Sequence, residues 1–189
     1  MSGEPAFQPT TLATERLKLR WIVEADAPAL LAIYGDPVVA RYLSRPAFTE
    51  MAQAEKLVAT ASACYADGSS VNFAVERRED AAVIGTCMLF RFHRESRRAE
   101  IGYSMARAFW GQGYMHEALQ SLIDYAFGPL GLNRLEADID PRNANSAKSL
   151  ERLGFKAEGV LRERWIVAGE VSDTGYYGLL RREWRHGNG

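Results

Sequence analysis

The sequence predicts one mixed α/β domain. Three observations carry that expectation: seven short runs read as strands, four longer stretches repeat apolar residues at helical spacing, and short turns join them. At 189 residues, a chain buries roughly 70% of the surface it exposes when unfolded, enough for one core without disulfides or metals. Hydrophobic residues make up 47% and charged residues 25%, the balance of a globular protein rather than a disordered one.

Residues 1–13, with Pro5, Pro9 and Thr10-Thr11, read as a flexible arm, 14–184 as the domain and 185–189 as a tail. Leu17, Leu19 and Trp21 alternate with Lys18 and Arg20, the period of a half-buried strand. From Ala25 to Tyr34, Leu30, Ile33 and Tyr34 recur at helical spacing until Gly35-Asp36-Pro37 stops them. Thr49-Glu50 opens a second helix, Met51 to Tyr65, closed by Asp67-Gly68. Val71–Glu76, Val83–Phe92 and Ala99–Met105 follow as an antiparallel meander, because their connections are too short for crossovers. A helix over Gly113–Phe127, a strand over Arg134–Asp140, a helix from Asn143 to Gly154 and a final hairpin, Phe155–Val167 with Val171–Leu180, complete the order.

Composition also excludes functions. The net charge of -1 lacks the cationic excess of a nucleic-acid binder. Arg77-Arg78, Arg97-Arg98 and Arg181-Arg182 read as solvated turns and strand ends. Cys64 and Cys87 match no metal spacing, and neither do His93, His116 and His186, so no metal is expected. Met1–Pro9 has no secretory pattern, and the run Ala81–Phe90 is too short to span a bilayer. A cytoplasmic protein without a membrane partner is the expectation.

Chemistry first shows at Trp110-Gly111-Gln112-Gly113-Tyr114, a turn that opens a helix. Its glycines let the backbone bend, and the first N–H groups of the helix carry partial positive charge that suits a phosphate. The turn is neither a dinucleotide fingerprint, which needs a third glycine, nor a Walker loop, which needs Gly-Lys-Ser/Thr. Alone it is equally a plain turn. A second segment raises its meaning: Asp140-Pro141-Arg142-Asn143-Ala144-Asn145-Ser146 places two amides and a hydroxyl at another helix start, and that helix ends at Leu153-Gly154-Phe155.

Together these segments resemble the GNAT acetyltransferase superfamily, in particular its Rim-type branch of ribosomal-protein N-terminal acetyltransferases. Thr14-Glu15-Arg16-Leu17-Lys18-Leu19-Arg20 is similar to the branch's opening strand, and Glu100-Ile101-Gly102-Tyr103 to its fourth. Phe109–Tyr114 with Glu117-Ala118 resembles its coenzyme-A loop, Asn143–Phe155 its coenzyme-binding helix, and Asp173 with Tyr176-Tyr177 its closing strand. The resemblance implies a twisted, mainly antiparallel seven-stranded sheet with a splayed central pair, flanked by about four helices. It also implies acetyl-CoA as co-substrate, with its pyrophosphate on the amides of Gly111 to Met115, its pantetheine arm along Ser104-Met105, and Asn143 and Ser146 beside it. Trp110 stands where the superfamily commonly has Arg or Gln, Met115 where Gly or Ala is usual, and Leu150 where many members carry a tyrosine acid.

Acetyl transfer needs an uncharged amine. Neutralising a lysine of pKa about 10.4 at pH 7 costs about 4.6 kcal/mol, whereas an α-amine of about 7.7 costs only about 1. A protein or peptide N-terminus is therefore the easier acceptor. Glu100 is the candidate base, with a surface ion pair to Arg97 or Arg98 as its ordinary alternative. Ser149, on one helical face with Ser146, is the candidate partner for the thiolate. Tyr103 is a further donor. Glu136, Asp138 and Asp140 share one strand face, so Glu136 and Asp138 are candidates to attract a cationic acceptor if that face borders the acceptor groove. Two other readings stay open: a small-molecule amine acetyltransferase, and a non-catalytic acyl-CoA-binding regulatory domain. Oligomeric state is open too, with a homodimer among the compatible assemblies.

Overall fold

Leu17 and Leu19, the inward positions of the first alternating run, are fully buried, and the architecture grows from that strand. The computed structural model describes residues 7–185. Its elements are β1 (Leu12–Ala13), β2 (Leu17–Trp21), α1 (Ala27–Gly35), α2 (Pro37–Ala40), α3 (Met51–Asp67), β3 (Ser70–Arg77), β4 (Val83–His93), β5 (Arg98–Met105), α4 (Tyr114–Phe127), β6 (Arg134–Ile139), α5 (Ala144–Arg152), β7 (Lys156–Val167) and β8 (Glu170–Leu180). One open sheet has the order β1-β2-β3-β4-β5-β6-β8-β7. Every neighbouring pair is antiparallel except β5 and β6.

Two elements correct the sequence reading. Among the described residues the sheet has eight strands rather than seven, because Leu12–Ala13 pairs with Leu19 and Lys18. That pairing falls inside the segment read as an arm, where Phe7 also packs on Phe92 at 5.3 Å between ring centres. Residues 1–6 and 186–189, including His186 and most of the expected tail, lie outside the described residues. The described residues form five α-helices rather than four: Pro37, read as a stop, instead starts α2, with Asp36 accepting from the Val38 N–H.

Ile84 to Cys87 are consecutively buried, so β4 is covered on both faces, and α1 and α4 pack against it. In α4 the buried residues Ala118, Leu119, Leu122, Ile123 and Ala126 form one stripe. At the far edge the pattern reverses. Almost every residue of β7 is exposed, including Val160 and Ile166. Its register with β8 slips between Leu161 and Trp165, where Glu163 adopts φ +51°.

Candidate active site

The parallel pair at the sheet's centre is short. Only Arg98, Ala99 and Glu100 of β5 face β6, opposite Arg134, Leu135 and Glu136. Beyond Glu100, β5 continues to Met105 on β4 while β6 continues to Ile139 on β8. The two strands therefore part, and the β6-facing edge of Ile101–Met105 has no strand partner among the described residues. Each strand leads into a helix: β5 into α4 and β6 into α5.

The turn before α4 is shaped by backbone hand. Gly111 has φ +73° and Gly113 φ +80°, conformations that cost an L-residue about 1–2 kcal/mol. A methyl added at Gly111 would meet nothing within 4 Å, so the torsion, and not lack of room, selects glycine. Gly113 is also the N-cap and has no side chain to cap with. The first helical bond runs from Glu117 N–H to the Gly113 carbonyl, which leaves the preceding amides without intrahelical acceptors. Flanking side chains hold the turn still. Trp110 Nε1 donates to the Met105 carbonyl at 2.7 Å and Gln112 Nε2 to that of Ala108 at 2.9 Å. Arg16 donates to the Gln112 carbonyl and, through Nε at 2.6 Å, to Glu117, which also accepts from the Arg16 N–H and Thr14 Oγ1. Burial alone would raise the Glu117 carboxyl, but these donors outweigh it and hold it below the usual range. Met115, half-buried, packs over Gly85 of β4.

On the α5 side, Asn143 is the N-cap and accepts from the Ser146 N–H at 3.1 Å. The Ser146 hydroxyl lies 2.7 Å from Tyr103 Oη, and the Ser146 carbonyl accepts from the same phenol at 3.4 Å. Leu150 is fully buried.

A cleft of about 900 Å³ lies against this opening, walled by the α1–α3 segment, the central strands, the start of α5 and the tip of the β7–β8 hairpin. Tyr103, Ser104, Asp138, Asn143 and Ser146 all line it; Glu100, Glu136 and Ser149 do not, nor does the segment Met105–Met115. Glu100 is 5% exposed and accepts from Arg91 Nη1 at 2.9 Å, not from Arg97 or Arg98. Arg98 instead pairs with Glu136 at 2.6 Å, which Arg134 also binds at 2.8 Å. Asp140 is bound by Arg142. The acidic face of β6 thus divides: two carboxylates are occupied by guanidiniums, and Asp138 is left. Its Oδ2 is buried without a hydrogen-bond partner, 3.9 Å from Arg91. Burial raises the carboxyls of both Glu100 and Asp138, with Arg91 opposing in each case and Arg164 also opposing at Asp138. Arg91 is the contributor that sequence reasoning missed, since only the β4–β5 register brings it over Glu100. Among the described residues no cluster of three or more His, Cys, Asp and Glu side chains is arranged to hold a metal ion, and no helix is long and apolar enough to cross a membrane.

Residues 16–156 match the family described as Acetyltransferase (GNAT) domain. The chain belongs to the GNAT acetyltransferase family. It is 40% identical over 92% of its length to an uncharacterised N-acetyltransferase of Bacillus licheniformis, p20, covering 98% of that protein. It is also 27% identical to the [ribosomal protein uS5]-alanine N-acetyltransferase of Escherichia coli, covering 93% of each chain. Among solved structures, a probable acetyltransferase superposes with TM-score 0.84 at 30% identity, over 93% of this chain and 99% of the other. Mycobacterium smegmatis RimJ, solved with CoA-disulfide, gives 0.82 at 23% identity over 94% of this chain and 91% of that one. This GNAT protein is therefore an N-acetyltransferase, with Rim-type enzymes among its relatives, and enzymes of the family take their acetyl group from acetyl-CoA.

Proposed function

We propose that this GNAT acetyltransferase moves an acetyl group from acetyl-CoA to the α-amine of a protein or peptide N-terminus, by direct attack of the amine on the thioester. The observation that carries the reading is the meeting of the splayed β5–β6 edge with an open cleft lined by Asp138, a carboxylate whose Oδ2 has no hydrogen-bond partner. The splay supports the donor. Ser104 and Met105 offer backbone to the pantetheine arm, and the amides from Trp110 through Met115 offer donors to the pyrophosphate. Asn143 and Ser146 bound the other side. Acetyl-CoA itself supplies the activated carbonyl and a thiolate leaving group.

Glu100 and Asp138 flank Arg91, and this pair is the base. Asp138 faces the cleft and reaches the amine, while Glu100 lies one side chain behind it. Burial keeps both carboxyls above their ordinary values, which moves them towards the pH at which a general base works. An α-amine of pKa about 7.7 needs only modest help to lose its proton. The cleft's size suits a chain end, and the E. coli relative is named for acting on an alanine of a ribosomal protein. A cytoplasmic site of action follows from that acceptor.

The test is free thiol release from acetyl-CoA across N-terminal peptides, lysine side-chain peptides and small amines. Release with N-terminal peptides alone is the expected result. Release with polyamines, antibiotics or amino acids alone would move the protein to the small-molecule reading. Silence across the panel, with acetyl-CoA still bound, would make it a non-catalytic binding domain.

A further inference from the structure

The departing thiolate needs a proton, and the α5 position at which the resemblance places a tyrosine acid holds Leu150, buried in the core. A phenol nevertheless stands at the opening, on its other wall. Tyr103 belongs to the stretch of β5 that has parted from β6, lines the cleft, and joins α5 through the 2.7 Å contact with Ser146 Oγ. We propose that Tyr103, from the strand rather than the helix, is the acid that protonates the coenzyme-A thiolate, with Ser146 positioning its hydroxyl. The proposal rests on the acetyl-transfer reading above.

The hydrogen-bond inventory supports it. Either oxygen of the Tyr103–Ser146 contact can be the donor. When Ser146 Oγ donates, the phenol's own O–H is held only by the long 3.4 Å bond to the Ser146 carbonyl, which a thiolate acceptor can replace. Among the described residues the phenol's hydrogen-bond partners are both uncharged groups of Ser146. Burial raises the phenol, Ser146 and Ser149 oppose it, and Tyr177 of β8 adds to it. Across the ladder on β4 stands Cys87, fully buried, its thiol also pushed up by burial. Tyr103 is therefore a neutral donor at neutral pH.

The step balances. As the C–S bond breaks, its electron pair stays on sulfur and the proton moves from Tyr103 Oη to that sulfur, giving the thiol. The acceptor nitrogen, on forming the amide, has lost one proton to Asp138, and cleft water returns that proton to the phenolate.

The experiment compares the unmodified protein with Tyr103→Phe and Ser149→Ala. The first readout needs no turnover: the ultraviolet titration of the coenzyme-A thiol in the binary complex. Loss of a phenolic donor to the thiolate should raise that thiol's pKa in Tyr103→Phe, while Ser149→Ala moves it less. The second readout is acetyl transfer from two donors. With acetyl-CoA, Tyr103→Phe should lose about 100-fold in kcat. With the acetyl thioester of an electron-poor arenethiol, which leaves without needing a proton, the loss should shrink to a few-fold. Equal loss with both donors, or an unmoved thiol pKa, overturns the assignment. A larger effect in Ser149→Ala than in Tyr103→Phe transfers the role to Ser149. If the unmodified protein acetylates no amine, the acetyl-transfer reading fails by itself, while the binary titration still reports on Tyr103.

Discussion

The two sides of the central opening are built from different materials. On the side proposed to hold the donor, from β5 through the glycine turn into α4, the features are in the backbone: a strand edge unpaired among the described residues, two positive-φ glycines and uncapped helix amides. Side chains there serve mainly as fasteners, as Arg16, Thr14 and Glu117 do around the turn. On the side proposed to receive the acceptor, from β6 across to the exposed β7–β8 hairpin, the features lie in charge. Carboxylates on one strand face are hydrogen-bonded or approached only at longer range according to how closely an arginine reaches them. A backbone site depends on torsions that few residues can adopt, whereas a charge site depends on which side chain happens to arrive.

That contrast can be broken at three points, taken from the largest effect to the smallest. Asp138→Asn removes the cleft carboxylate whose Oδ2 has no hydrogen-bond partner. It should lower kcat by about 100-fold, or about 2.7 kcal/mol, with affinity for coenzyme A unchanged by calorimetry. Its pH profile gives the sign: a carboxyl raised by burial is protonated, and inactive as a base, to higher pH than a free one. The acid limb of the native enzyme should therefore lie above the ordinary carboxylate range, and it should vanish in Asp138→Asn. An acid limb that survives unchanged would return the role to Glu100.

Glu117→Ala tests the donor side. It strips acceptors from the Arg16 N–H, Arg16 Nε and Thr14 Oγ1 together. Stability by denaturant titration should fall by about 2 kcal/mol, coenzyme-A affinity should weaken, and the acceptor KM should stay. A change confined to the acceptor KM would show that the two sides are not separable.

Ile166→Ser should do least. Ile166 is 72% exposed near the hairpin tip, and exposed substitutions of this kind stay within about 0.5 kcal/mol. An unchanged thermal midpoint is the expected measurement, and a drop of several degrees would show that the hairpin carries part of the fold.

The same contrast explains what could be read before any coordinates. The strong patterns were legible: Leu17 and Leu19 in alternation, the α4 stripe, and the glycine turn with Asn143 and Ser146 after it. Their signals are local, because periodicity, turn chemistry and capping act within a few residues. Leu12–Ala13 and Pro37–Ala40 are too short to show a period, and Pro37 at a helix start resembles Pro37 at a helix end. The partners of Glu100 and Glu136 were out of reach for another reason. Sequence proximity offers Arg97 and Arg98 to Glu100, but the sheet register gives it Arg91 and sends Arg98 to Glu136. The alternation of β6 shows three carboxylates and cannot show that two are already occupied.

The parting of β5 from β6 after three matched positions also bears on mutational tolerance. Peptide groups line that edge whatever side chains stand on the strand, so, on the proposed reading, substitutions in the cleft wall redirect the choice of amine while the acetyl donor is still held. One scaffold of this kind can change customers without changing supplier.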